Sequence, residues 1–178
     1  MRRILVAAGL LAGCAVLVAG LALGQSKTTH EAKSAPVKGT EYHHLLMLDL
    51  DEAVQHAKAL NHYARTHKTD LAKDVVTRHV DELSKNLEGV EKELPLVEEH
   101  AGKNASGLES QLSTIREEAQ KARQDVADLQ AETAKDKPEP SVIESKSKAI
   151  YTAMSEASEH HRQVMTKRGV QKPAEPKS

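Results

Sequence analysis

Four stretches of this chain place an apolar residue at every third or fourth position, and a short polar break separates each stretch from the next. Such stepping keeps the apolar side chains on one stripe of an α-helix, which makes a turn every 3.6 residues, whereas a strand needs strict alternation. The first stripe runs His43, Leu46, Leu50, Ala53, Ala57, Leu60, Ala64 and His67, and the second runs from Ala72 through Val76, His79, Leu83, Leu87, Val90 and Leu94 to Val97. The third runs from Leu108 through Ile115, Ala122 and Leu129 to Thr133, and the fourth from Ile143 through Ile150, Met154 and His161 to Val164. Pro95 falls inside the second stripe, where it is expected to kink the helix or end it early.

The breaks lie at 66–69, 102–107 and 135–140, with Ser141 expected as the N-cap of the last helix. Loops this short favour antiparallel neighbours, so the expected fold is all-α: an antiparallel up-down-up-down four-helix bundle over 41–168. Leu, Val, Ile and many Ala supply its core, while Phe and Trp are absent. That thin seam leaves an elongated coiled coil, stable only as an oligomer, as the alternative.

Upstream of the helices, Met1-Arg2-Arg3 precedes an apolar run from Ile4 to Gly24 and then the polar Gln25-Ser26-Lys27, the order of a bacterial export signal. Residues 1–24 are therefore expected to be a signal peptide or a membrane anchor. Ala22-Leu23-Gly24 suits cleavage before Gln25, Leu11-Ala12-Gly13-Cys14 is similar to a lipobox with Cys14 as the acylated residue, and the run approaches the roughly 20 residues that span a bilayer. Each route leads to the periplasm or cell envelope, the second of them lipid-anchored at Cys14. Residues 25–40 are polar and aperiodic and are expected to be a disordered linker, and 169–178, with Pro173 and Pro176 among lysines, a disordered tail.

Cys14 is the chain's one cysteine, so the body has no disulfide, thiol nucleophile, Cys-ligated zinc or iron–sulfur site, and no C-x-x-C-H for covalent haem. Lys and Arg number 25 against 26 Asp and Glu, and without Arg2 and Arg3 the balance is 23 to 26. A slightly acidic body without stacking aromatics argues against a nucleic-acid partner. No H-E-x-x-H, phosphate-cradling glycine loop or G-x-S-x-G is present. Glu41-Tyr42-His43-His44 holds one Glu-x-x-His, but a di-iron carboxylate bundle needs two. A non-enzymatic protein is expected.

The residues that carry chemistry are two matched clusters, His43-His44-x-x-Met47 and His160-His161-x-x-x-Met165. His43 with Met47, and His161 with Met165, are spaced i,i+4, so each pair projects from one helix face. In an antiparallel first and fourth helix, His161 lies 20 residues from the shared end, level with Met47, and Met165 is level with His43. The uncertainty of this register is about three residues, or roughly 4.5 Å at 1.5 Å per residue. Two imidazoles and two thioethers in one place form a soft, neutral donor set that favours copper(I) before zinc. His44, His160 and His100 are near enough to be further ligands or to orient the first four. The same reckoning brings His79 beside His56, with Asp49, Glu52 and Tyr63 on nearby faces, as a second metal site or a His–carboxylate pair. His62 and His67 read as surface or capping residues.

Met47 on the first helix and His161 on the fourth helix of an exported bundle resemble the axial pair of the periplasmic b-type cytochromes. The resemblance implies a non-covalent haem b and an electron carrier, although this chain has no phenylalanine to line a macrocycle. The pattern as a whole leads to the expectation of a metal-binding bundle that buffers or senses copper or zinc. The charged outer faces offer the contrasting expectation of a structural module that binds a protein partner or another copy of itself.

Overall fold

The computed structural model describes residues 39–101 and 107–170. The expected export segment, nearly all of the linker and most of the tail lie outside the described residues, as do 102–106. Four helices make up the fold: α1 Thr40–Thr66, α2 Lys73–Ala101, α3 Glu109–Ala134 and α4 Pro140–Arg168. No strand occurs among the described residues, and no helix among them is long and apolar enough to cross a membrane.

Each helix buries most of the stripe that its spacing defines. Leu46, Leu50, Leu60, Leu83, Ile115, Leu129, Ile143 and Ile150 are sealed from solvent, and each buried aliphatic side chain of this size stabilises the fold by about 1.5–3 kcal/mol. Ala53, Ala57, Ala64, Ala122 and Ala157 fill the same core, where a methyl group lets helix axes approach closely. α1 packs against α2 and α4, while α3 packs against α4 and, less closely, α2. Asn61 near the end of α1 donates to the carbonyl of Glu144 near the start of α4 at 2.8 Å, and His43 near the start of α1 meets His161 near the end of α4.

Several local expectations are corrected. Pro95 does not end α2, which continues through it to Ala101. The proline sits on the exposed side of the helix, and buried Leu94, Val97 and Ala101 on either side of it hold the last turns in place against its missing N–H. Ala72 is exposed and His79 half-buried, and Val80 takes the core position beside them. Ser141 is not the N-cap of α4; Glu139 is, with Pro140 at the first turn, where its lack of an N–H costs nothing. The Ser141 hydroxyl donates to Glu139 Oε1 at 2.6 Å.

The start of α1 is set by Gly39, whose φ of 95° lies in the left-handed region. A Cβ there would stand 2.2 Å from His100 Cδ2. Glycine thus admits the His100 ring against the chain at the point where α1 begins, and this contact prepares the site described next.

Candidate functional site

His43 and His161 are both wholly buried. Their rings stack almost parallel, 6° apart with centroids 5.4 Å from each other, and His43 Nδ1 lies 3.2 Å from His161 Nε2. The second nitrogen of His43, Nε2, lies 3.4 Å from His100 Nδ1, whose ring meets it edge-on at 74°. Three imidazoles from α4, α1 and α2 therefore form a row with His43 in the middle. A neutral imidazole carries one N–H, so His43 donates at one end and accepts at the other, and the hydrogen bonds in the row all point the same way. His161 Nδ1 is buried with no hydrogen-bond partner, as is Nδ1 of half-buried His160.

Burial dominates the electrostatics. It lowers the His43 pKa to about 4, with His100, Arg168 and His44 adding positive charge in the same direction. It lowers that of His161 to about 3, reinforced by His43, Arg162 and His44. Both rings are neutral at pH 7 and hold lone pairs that an ion can use.

The methionines are buried one turn on along the same helices. Met47 Sδ is 3.7 Å from the Ser158 hydroxyl, which donates to Asp51 Oδ1 at 2.7 Å; Arg162 donates to the same oxygen at 2.8 Å. Met47 and Met165 line one surface depression of about 220 Å³ with Arg162, Thr166 and Val170. Of the six expected site residues, the structure thus joins His43 directly to His161 and sets Met47 and Met165 around one opening on the same seam. His44 and His160 are half-buried at its margin. The register differs from the expected one by about a helical turn: the histidines face each other, and Met47 sits beside Ser158 instead of opposite His161.

The Asp51–Arg162–Ser158 cluster beside Met47 was not foreseen. Its signal was an opposite charge on each helix at the methionine's level. His100 meets His43 Nε2, the orienting position open to it in the sequence.

On the α1/α2 seam, His56 and His79 also meet, Nδ1 to Nδ1 at 3.1 Å, both half-buried. Asp49, expected near them, lies instead against Gly89, where a Cβ would come within 2.1 Å of its Oδ2. Burial and then Glu52 and Glu93 raise the Asp49 pKa. Tyr63 packs on His67 at a tilt of 31°, with ring centroids 4.2 Å apart, and its hydroxyl accepts from the Ala72 N–H at 2.9 Å. His67 Nδ1 lies 3.1 Å from the Tyr63 carbonyl at the end of α1, the capping position expected for it.

Among the described residues, no three His, Cys, Asp or Glu side chains are grouped to hold a metal ion. A metal on the α1/α4 seam would therefore depend on the thioethers. No protein-family model, curated protein or solved structure matches this chain.

Proposed function

We propose that this chain is an exported, non-enzymatic bundle of up-down-up-down topology that binds a soft metal ion, copper(I) before zinc, between α1 and α4, and so buffers or senses that metal in the periplasm or cell envelope. The ligands are His43, Met47, His161 and Met165, with His44 and His160 at the margin.

The observation that carries this reading is the buried nitrogen pair. Two imidazole nitrogens about 2.0–2.1 Å from a tetrahedral ion lie roughly 3.3–3.4 Å apart, and His43 Nδ1 and His161 Nε2 are 3.2 Å apart without one. The rings meet nearly end to end, so each must turn for both lone pairs to converge on an ion. His100 supports the arrangement, since a metal-bound imidazole is usually oriented through its second nitrogen, and both methionines line one depression that is open to solvent. Copper(I) is preferred because two thioethers and two neutral imidazoles add no charge to a dry seam.

The test is anaerobic titration of the metal-free protein with copper(I), read by X-ray absorption for nitrogen and sulfur neighbours. One ion per chain with both N and S scattering is expected, lost in His43→Ala and His161→Ala and weakened in Met47→Leu and Met165→Leu. Absence of binding, or binding indifferent to both histidine changes, overturns the reading.

A second reading, an interaction module without a cofactor, draws on Leu45 and Leu48, which are 46% and 54% exposed on α1. It calls for self-association or partner binding that Leu45→Ser with Leu48→Ser abolishes, as sedimentation would show.

A further inference from the structure

We infer that α2 is a detachable wall of the bundle: it parts from α1 and α3 as one unit while those helices stay packed on α4, and in leaving it withdraws His100 from His43.

The neighbours of α2 hold it less firmly than the other helices hold one another. α4 packs closely against both α1 and α3, whereas α2 packs on α1 and, less closely, on α3. The polar links from α2 to α3 are carried by long side chains that reach across the seam. Arg116 reaches Glu98, and Arg123 reaches Glu88 and Glu91 at 3.7 and 3.6 Å and the Ser84 carbonyl at 3.3 Å. Lys73 donates to the Lys135 carbonyl at 3.0 Å. Ion pairs in contact with water, as these are, hold a seam weakly.

Towards α1 the contacts of α2 are unusually polar. His79 meets His56, His100 meets His43, and the Asp49 carboxylate takes the room left at Gly89. Two side-chain atoms of α2, Asn86 Nδ2 and Glu93 Oε2, are buried with no hydrogen-bond partner. Such atoms cost free energy while they stay dry, and release returns them to water. That recovery offsets part of the cost of exposing Val76, Val80, Leu83, Leu87, Val90 and Val97. By contrast, α1 and α4 are tied by Asn61 to the Glu144 carbonyl at 2.8 Å and by Ser158 to Asp51 at 2.7 Å. Once free, a helix interrupted by Gly89 and Pro95 frays, so its amides exchange when it leaves.

The experiment is native-state hydrogen exchange of the metal-free full chain in low, rising concentrations of denaturant, followed amide by amide. The amides from Val80 to Val97 are expected to converge on one opening and to exchange at least tenfold faster than the slowest amides of α1, α3 and α4. Val97 lies one turn before His100, so its membership of that group carries His100 with it. Arg123→Ala should speed the α2 amides several-fold and leave those of α1 and α4 unchanged, and Asn86→Leu should slow them. Exchange in α2 no faster than in α4 of the wild-type chain, α1 opening together with α2, or equal acceleration of all four helices in Arg123→Ala overturns the inference; the wild-type rates decide it even where a variant fails to fold.

Discussion

The two histidine pairs are almost the same object in two settings. His43 with His161 and His56 with His79 have nitrogen separations of 3.2 and 3.1 Å and share a ring separation of 5.4 Å. The first pair is sealed from solvent, with a buried methionine one turn on along each helix, and the second is half-buried. The contact geometry therefore does not decide the chemistry. Burial decides how readily a proton enters. Whatever changes the surroundings should separate the pairs, while whatever acts on the shared contact should treat them alike.

Acid should separate them most. A ring whose folded pKa is depressed contributes stability that is present above its unfolded value of about 6.5 and is lost as pH falls towards the folded pKa, because the unfolded chain takes up the proton first. At pH 5, each of His43 and His161 would cost about 2 kcal/mol relative to pH 7.5, or about 4 kcal/mol together. The loss continues until their folded values of about 4 and 3 are reached. The charged groups that act on them, His100, His44, Arg168 and Arg162, are basic and oppose the incoming charge. His79 acts in the same direction. Urea denaturation of the metal-free protein at pH 7.5 and pH 5 measures the difference, and equal stability at the two pH values would mean that the sealed pair is open to water.

Truncation at neutral pH is a smaller and more direct comparison. His161→Ala empties a fully buried volume and strips His43 Nδ1 of its partner, at a cost of about 3 kcal/mol. His79→Ala exposes its gap to solvent, which satisfies His56, and should cost about 1 kcal/mol. Denaturant midpoints of the two metal-free variants give the ratio. Similar losses would show that burial does not distinguish the pairs.

How much of this was legible follows from what periodicity can encode. A stripe stepping by three and four fixes which face of a helix is dry, so nearly every residue expected in the core of α1, α3 and α4 is buried. Uniform helical rise also carried the α1/α4 register from one end of the bundle to the other, to within a turn. A turn is the distance between a histidine facing a methionine and a histidine facing a histidine, because loop geometry and not the stripe sets the final offset. On α2 the pattern failed locally: Val80, one residue on, displaced His79 from the core, since aliphatic burial outweighs the transfer of an imidazole. Glu93, Glu118 and Glu132 were expected outside yet are buried. For two of them the sequence held a clue in the lysine one turn on, Lys121 for Glu118 and Lys135 for Glu132. Glu132 also accepts from the Glu139 N–H at 2.7 Å, which fastens the turn into α4. That long-range partner leaves no trace in local spacing.

The smallest expected effect tests what lies between the two pairs along the α1/α2 seam. Gly89 interrupts α2 where alanine would favour the helix by about 1 kcal/mol, and the room it leaves is taken by the Asp49 carboxylate. Gly89→Ala should therefore be close to neutral, its helical gain offset by displacement of that short side chain. Combined with Asp49→Ala, the same change should stabilise by about 1 kcal/mol, the gain no longer opposed. A double-mutant cycle from thermal or denaturant unfolding isolates the coupling. If Gly89→Ala stabilises the protein equally with and without Asp49, the carboxylate does not need the glycine, and the carboxylates between the two histidine pairs are surface charges without a built place in the seam.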